Sequence, residues 1–363
     1  MESLRWGSLG RLVFHVVGRS GELPSKPGRH DAPCHAAAIR HGPLPTLSRT
    51  GRRLFVAPCA RGGLFPAPCA RERQNRSVRT CVVDTSLGPV EVTLTPGEGE
   101  VVLFFPGGHT TAATPLCTDL YTDLGYRALV FSRPGYGRTN VGQLTAVEFI
   151  PAIARVCERL GITATAATVG LSFGGLQAVH VAVSLRHLAP RLILHSCAPS
   201  SLPYPDSRLQ RLAVPLVFGP RSQRLTWRMV RALTSSDRGL RVMMASLSKL
   251  PTGEWWDRWT PADRAAPRKT FSQMDSGSGF VTDVRQAGAA RSAYRETVLR
   301  SVPCPTLVTA TRQDGGVAFT HAEDFVRTIP DSRLAETSAL SHFFWLGASR
   351  LAVSELVRDF LTE

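Results

Sequence analysis

Lysine is nearly missing from this chain. Of its 43 Lys and Arg residues only Lys26, Lys249 and Lys269 are lysine. An arginine skew this uniform reads as a coding bias, because a phosphate-binding surface would concentrate its charge locally. The formal net charge of +15 is also unevenly placed. Residues 1–80 hold 14 Lys+Arg against 4 Asp+Glu, and the remaining residues hold 29 against 24. The body is therefore only mildly basic. It has no basic helix, zinc finger or aromatic-interleaved motif, so nucleic acid is not expected as a partner.

Other absences narrow the field further. None of the eight cysteines forms a C-x-x-C pair, which removes support for a zinc ribbon or a thioredoxin-type site. Neither a metal nor a cofactor is expected. Cys117, Cys157, Cys197 and Cys304 fall in apolar surroundings and read as small buried hydrophobes of a reducing, cytoplasmic compartment. No stretch reaches the roughly 18 uncharged apolar residues of a membrane-spanning helix. With 31 Gly and 26 Pro, the chain has too few of either for a collagen-like or wholly disordered protein.

What is present divides in two. Residues 1–77 are rich in Pro, Gly, Arg and Ala, with turn signals such as Lys26-Pro27-Gly28 and no sustained period. This segment reads as a basic extension, disordered or foreign to the native protein; a targeting segment is the alternative. From residue 78 short apolar runs alternate with helical patterns. Strands are predicted at 79–83, 90–94, 101–105, 127–131, 165–171, 192–195, 306–309 and 333–336. Helices are predicted at 113–125, 144–160, 173–187, 320–328 and 348–362. Apolar strands alternating with helices make an α/β fold, a parallel sheet covered on both faces. Its chemistry is expected in the loops after the strands' carboxyl ends. Residues 78–200 and 301–363 form the predicted core. Residues 201–300 break the rhythm with helical stretches at 208–218 and 224–249 and the run Trp255-Trp256-Asp257-Arg258-Trp259, and read as a mostly helical cap.

The strongest local signal is Gly170-Leu171-Ser172-Phe173-Gly174-Gly175, a G-x-S-x-G between a strand and a helix. That is the context of a nucleophile elbow, and Ser172 at the helix N-terminus would face a favourable dipole. A serine needs a base, and the base needs an orienting acid. Asp314 follows the strand at 306–309 and His342 follows the strand at 333–336, with Asp206 as a rival acid and His321 as a rival base. His195 reads as packed. Acyl transfer also needs two donors for the oxyanion. The Phe173 N–H is one candidate, and the Gly108 N–H of Pro106-Gly107-Gly108-His109 is the other.

Phe105-Pro-Gly-Gly-His109, Ser132-Arg-Pro-Gly-Tyr-Gly-Arg-Thr139, Gly170-Leu-Ser-Phe-Gly-Gly175, Asp314 and Ser341-His342 together resemble the α/β-hydrolase superfamily over residues 78–363. The resemblance implies an eight-stranded, mostly parallel sheet and a Ser172–Asp314–His342 triad, with Gly108 and Phe173 as the oxyanion hole. Two positions depart from the pattern: Pro106 stands where many relatives have His, and Ser132 where many have Asp. Both bear on loop geometry. The expected activity is hydrolysis of a small or medium carboxylic ester or lactone through an acyl-enzyme. His109, Trp255, Trp256 and Phe343 are candidate pocket residues, and a small molecule is the expected partner. An aminopeptidase or a carbon–carbon bond hydrolase would share the triad, and a non-catalytic ligand-binding protein could share the fold.

Overall fold

The computed structural model describes residues 79–114, 116–205, 208–219 and 221–363. The N-terminal extension and Asp206 lie outside the described residues.

Eight strands form one sheet: β1 (Arg79–Thr85), β2 (Gly88–Leu94), β3 (Val101–Phe105), β4 (Arg127–Phe131), β5 (Ala167–Leu171), β6 (Leu192–His195), β7 (Thr306–Ala310) and β8 (Ser332–Glu336). Their spatial order is β1-β2-β4-β3-β5-β6-β7-β8. The first two pairings, β1 with β2 and β2 with β4, are antiparallel; the other five are parallel. Reversal of the order around β3 and β4 leaves β5 in the middle of the sheet, with its carboxyl end flanked by those of β3 and β6.

Strands β3, β5, β6 and β7 are buried along their whole length and mostly apolar because both faces are covered. In β3, Val102 and Phe104 face one core cluster while Leu103 and Phe105 face the other. The second face carries α2 (Ile150–Arg159), α3 (Gly174–Ser184) and α10 (Phe319–Thr328). The first face carries α1 (Asp119–Thr122), α11 (Ser349–Thr362) and most of the buried side of the insert between β6 and β7, whose last helix instead adds Leu299 to the second cluster. That insert contains α4 (Arg208–Phe218), α5 (Gln223–Thr234), α6 (Asp237–Ala245), α7 (Pro261–Gln273), α8 (Gly279–Ala287) and α9 (Ser292–Arg300). No helix among the described residues is long and apolar enough to cross a membrane.

Several helices are shorter than their sequence patterns, whereas those predicted at 208–218, 320–328 and 348–362 form within one residue of their expected bounds. Residues 113–125 give only the four-residue α1. Upstream of it the Thr111 N–H bonds the Thr114 hydroxyl at 3.0 Å, a local alternative to helix. The 224–249 pattern splits into α5 and α6, because Ser236 turns extended (φ −98°, ψ 152°) and its hydroxyl caps the Gly239 N–H. Helix α2 begins at Ile150, after a turn in which Glu148 accepts from the Thr145 N–H and hydroxyl.

Two core histidines are held neutral. His195 is fully buried, with Nε2 2.8 Å from the Tyr121 hydroxyl and Nδ1 2.6 Å from the Thr309 hydroxyl. Loss of water lowers its pKa to about 3, and lowers that of buried His180 to about 4. These groups take up protons near pH 6.5 only when the chain unfolds, so their contribution is present above that pH and is lost as pH falls toward 4. Stability is expected to drop by about 1.4 kcal/mol per pH unit for each such histidine between pH 6 and 5. Urea unfolding of His180→Gln should show a slope shallower by one such increment; an unchanged slope would contradict a buried, neutral His180.

Candidate active site

Strand β5 runs into α3 through Ser172, which sits in the left-handed region at φ 52°. A non-glycine residue holds that conformation only where its surroundings enforce it. Here the Ser172 N–H donates to the His195 carbonyl at 3.0 Å, and its carbonyl accepts from the Gly175 N–H at 3.1 Å. The flanking glycines let the backbones close. A Cβ on Gly170 would lie 2.5 Å from the Gly175 Cα, and one on Gly174 would run into the Phe105 carbonyl of β3. The turn therefore lifts the Ser172 side chain to the sheet's carboxyl edge.

The acid and the imidazole arrive from β7 and β8. Asp314 is buried, and Oδ1 accepts from the N–H groups of Gly316 (2.7 Å) and Val317 (2.8 Å). Its Oδ2 accepts from His342 Nδ1 at 2.8 Å, which leaves Nε2 unpaired among the described residues. Ser172 and His342 line one cavity. Ser172 Oγ forms no hydrogen bond among the described residues; such contacts commonly tighten only when substrate binds.

The insert also positions these loops, which sequence reasoning missed. The Leu247 carbonyl, just past α6, accepts from both the His342 N–H (2.8 Å) and the Gly315 N–H (3.1 Å). The Ser248 hydroxyl donates to the Leu340 carbonyl at 2.5 Å, and the Lys249 N–H donates to Gln313 at 2.9 Å. One short segment thus ties the acid loop to the histidine loop. All but the Ser248 hydroxyl are backbone-to-backbone contacts, so no side-chain motif announces them.

The loop after β3 is held just as firmly. Arg133 is buried and donates to two successive carbonyls, Pro106 through Nε and Gly107 through Nη2, each at 3.0 Å. A trans peptide sets its N–H opposite its C=O. Turning the Gly107 carbonyl toward Arg133 therefore turns the Gly108 N–H away from it. The loop lies against the serine: a Cβ on Gly107 would sit 3.2 Å from the Ser172 Cβ. Neither the Gly108 nor the Phe173 N–H finds an acceptor among the described residues. Arg133 is itself neutralised by Asp283 of α8 at 2.6 Å, whose other oxygen accepts from the Tyr136 hydroxyl at 2.6 Å.

The cavity holds about 100 Å³ and is mostly apolar, with Leu116, Val230, Met243, Phe271, Phe280 and Trp345 among its walls. His109 and Phe343 are among the residues that line it. Trp255 and Trp256 do not, and that expectation is corrected. They pack against each other at 6.0 Å between ring centroids and against Trp259 at 5.0 and 5.7 Å, buried in the core of the insert. Trp227 of α5 and Trp345 take that place. The rival base His321 is buried 3.0 Å from the Ser200 hydroxyl. It is not among the residues lining the cavity.

The sequence model of the alpha/beta hydrolase family matches residues 102–355. The chain belongs to that family. An uncharacterized hydrolase of Bacillus subtilis (strain 168), YcgS, is 26% identical over 292 residues, which is 79% of this chain and 99% of YcgS. Among solved structures, an alpha/beta hydrolase fold protein from Nakamurella multipartita matches with TM-score 0.58 at 22% identity, covering 78% of this chain and 99% of its own. A thermophilic esterase from Thermogutta terrifontis matches with TM-score 0.52 at 22% identity (78% and 98% covered). The enol-lactonase from Burkholderia xenovorans LB400 matches with TM-score 0.54 at 18% identity (76% and 97% covered). The protein is thus an α/β-fold hydrolase.

The buried Arg133–Asp283 pair gives the first test of this site. Asp283→Ala would leave a guanidinium buried without its counter-charge, and is expected to cost about 3–5 kcal/mol of stability. Chemical denaturation measures it; a loss well under 1 kcal/mol would show that the pair does not anchor the loop.

Proposed function

We propose that this hydrolase cleaves small or medium carboxylic esters or lactones through an acyl-enzyme on Ser172. The observation that carries the proposal is the conjunction in one cavity of an elbow serine, a histidine whose Nδ1 is spent on a buried carboxylate, and two unspent backbone N–H groups beside the serine.

In the proposed reaction His342 Nε2 takes the Ser172 proton as Oγ attacks the carbonyl carbon. Asp314 keeps the proton on Nδ1 and steadies the imidazolium that forms. The tetrahedral oxyanion is met by the N–H groups of Gly108 and Phe173, each such donor being worth about 3 kcal/mol in the transition state. Collapse passes the proton from His342 to the leaving alcohol. Water, activated by the same imidazole, then attacks the acyl-enzyme and releases the acid.

The lining favours this reading over its rivals. No Asp or Glu stands among the described residues that line the cavity, so nothing there would pair with the free amine of an aminopeptidase substrate. The walls are apolar and the volume small, which suits a short uncharged acyl group. The Thermogutta esterase and the Burkholderia enol-lactonase share the fold and act on ester-type bonds by their names.

A fluorophosphonate should label the protein stoichiometrically, and both labelling and ester turnover should vanish in Ser172→Ala. Turnover should fall by about 10⁴-fold or more in His342→Ala, since a serine without its base loses most of its reactivity. Full ester turnover by Ser172→Ala would refute the assignment.

A further inference from the structure

His109 follows the loop glycines and stands in the cavity wall, yet the proposed reaction leaves it without a task. Its backbone is left-handed at φ 63°, and its carbonyl accepts from the Asp275 N–H at 2.9 Å. Three aromatic rings fix the imidazole: Phe280 at 3.7 Å between centroids, Phe218 at 4.5 Å and Trp227 at 5.0 Å. Its Nδ1 lies 2.8 Å from the hydroxyl of Ser276, which is fully buried.

The hydrogen-bond inventory around Ser276 fixes the tautomer. Trp227 Nε1–H lies 2.8 Å from the Ser276 oxygen, and an indole N–H can only donate. The hydroxyl hydrogen then has one acceptor among the described residues, His109 Nδ1. A buried hydroxyl that donated to nothing would be costly, so Ser276 donates and Nδ1 accepts. The imidazole proton therefore sits on Nε2. Loss of water, with the nearby Arg133 charge, lowers the ring's pKa to about 3, so the ring is neutral.

That Nε2–H is unspent. It has no partner among the described residues, and it is not one of the buried unpartnered atoms sealed in the packing. Apart from the Ser172 hydroxyl and the two candidate oxyanion donors, neighbouring polar hydrogens are committed elsewhere: Thr110 donates to Gly107 at 2.9 Å, Tyr204 to Gly316 at 2.7 Å and Trp227 to Ser276. His109 thus offers a rigid neutral donor within an otherwise apolar wall.

We propose that His109 is a specificity residue whose Nε2–H donates to a second oxygen of the substrate, apart from the carbonyl under attack. The favoured substrates are then small esters or lactones carrying an ether, hydroxyl or keto oxygen. This rests on the ester-hydrolase reading above.

Isosteric substrate pairs test it. One pair is p-nitrophenyl methoxyacetate and p-nitrophenyl butanoate, which differ by an oxygen for a methylene in the acyl group. The other is 2-methoxyethyl acetate and butyl acetate, which differ likewise in the alcohol. The kcat/KM ratio within each pair is compared between wild type and His109→Asn, so that intrinsic reactivity cancels. Asn tolerates the left-handed backbone and is too short to present the donor. The oxygen-to-methylene ratio should fall about fivefold in at least one pair, the worth of a neutral hydrogen bond. A merely structural role would lower both members of a pair together. Ser276→Ala, which frees the tautomer without removing the ring, should shift the same ratio in the same direction; it serves alone if His109→Asn does not fold. Ratios unchanged in both pairs would overturn the proposal. Turnover surviving Ser172→Ala would instead overturn the Ser172 acyl-enzyme reading beneath it.

Discussion

Everything at the catalytic edge depends on one backbone constraint: a serine held at positive φ between the central strand and the helix that follows it. That conformation is unfavourable by order 1–3 kcal/mol for a residue with a Cβ. It persists because Gly170 and Gly174 let the helix start press against the strand end and the Phe105 carbonyl. The anchor of the Ser172 N–H on the His195 carbonyl joins this turn to the neighbouring strand. The same close packing brings the β3 loop, with its free Gly108 N–H, alongside. A single turn therefore sets the position of the serine and of both candidate donors.

The remaining machinery is held at the distances this turn requires. Two clamps do so, and both come from the insert. Leu247 and Ser248 bind the acid and histidine loops to each other. Asp283 and Ser276 bind, through Arg133 and His109, the loop that carries Gly108. The insert is thus more than a roof. Its backbone and three polar side chains fix loops that belong to the sheet, which accounts for a buried ion pair where an apolar pair would be easier to accommodate.

The sheet and its order of chemistry were legible because short apolar or β-branched runs recur between helical patterns and each candidate group follows one. The candidate triad could be picked out because Gly170–Gly174, Asp314 and His342 follow the carboxyl ends of β5, β7 and β8. Helix lengths were less so: Thr111, Thr114 and Ser236 divert the backbone through their own hydroxyls, a choice that apolar periodicity does not record. The Trp255–Trp259 run misled because three neighbouring indoles suggest a pocket wall, whereas they bury one another. The cavity instead takes Trp227, isolated in sequence and brought in by tertiary packing, and Trp345, the end of the Phe343-Phe344-Trp345 run after His342. The roles of Leu247 and Ser248 were invisible because carbonyl and hydroxyl contacts to residues as distant in sequence as Gly315, Leu340 and His342 leave no local signature.

The central claim is that a covalent acyl group passes through the strained serine. Rapid acid quench of the protein during turnover of a slow activated ester, followed by peptide mass mapping, tests it directly. The account requires the acyl mass on the peptide containing Ser172, formed within the first turnover and absent after the substrate is exhausted. Turnover with no acylated peptide at any quench time, or with the acyl group on another residue, would contradict it.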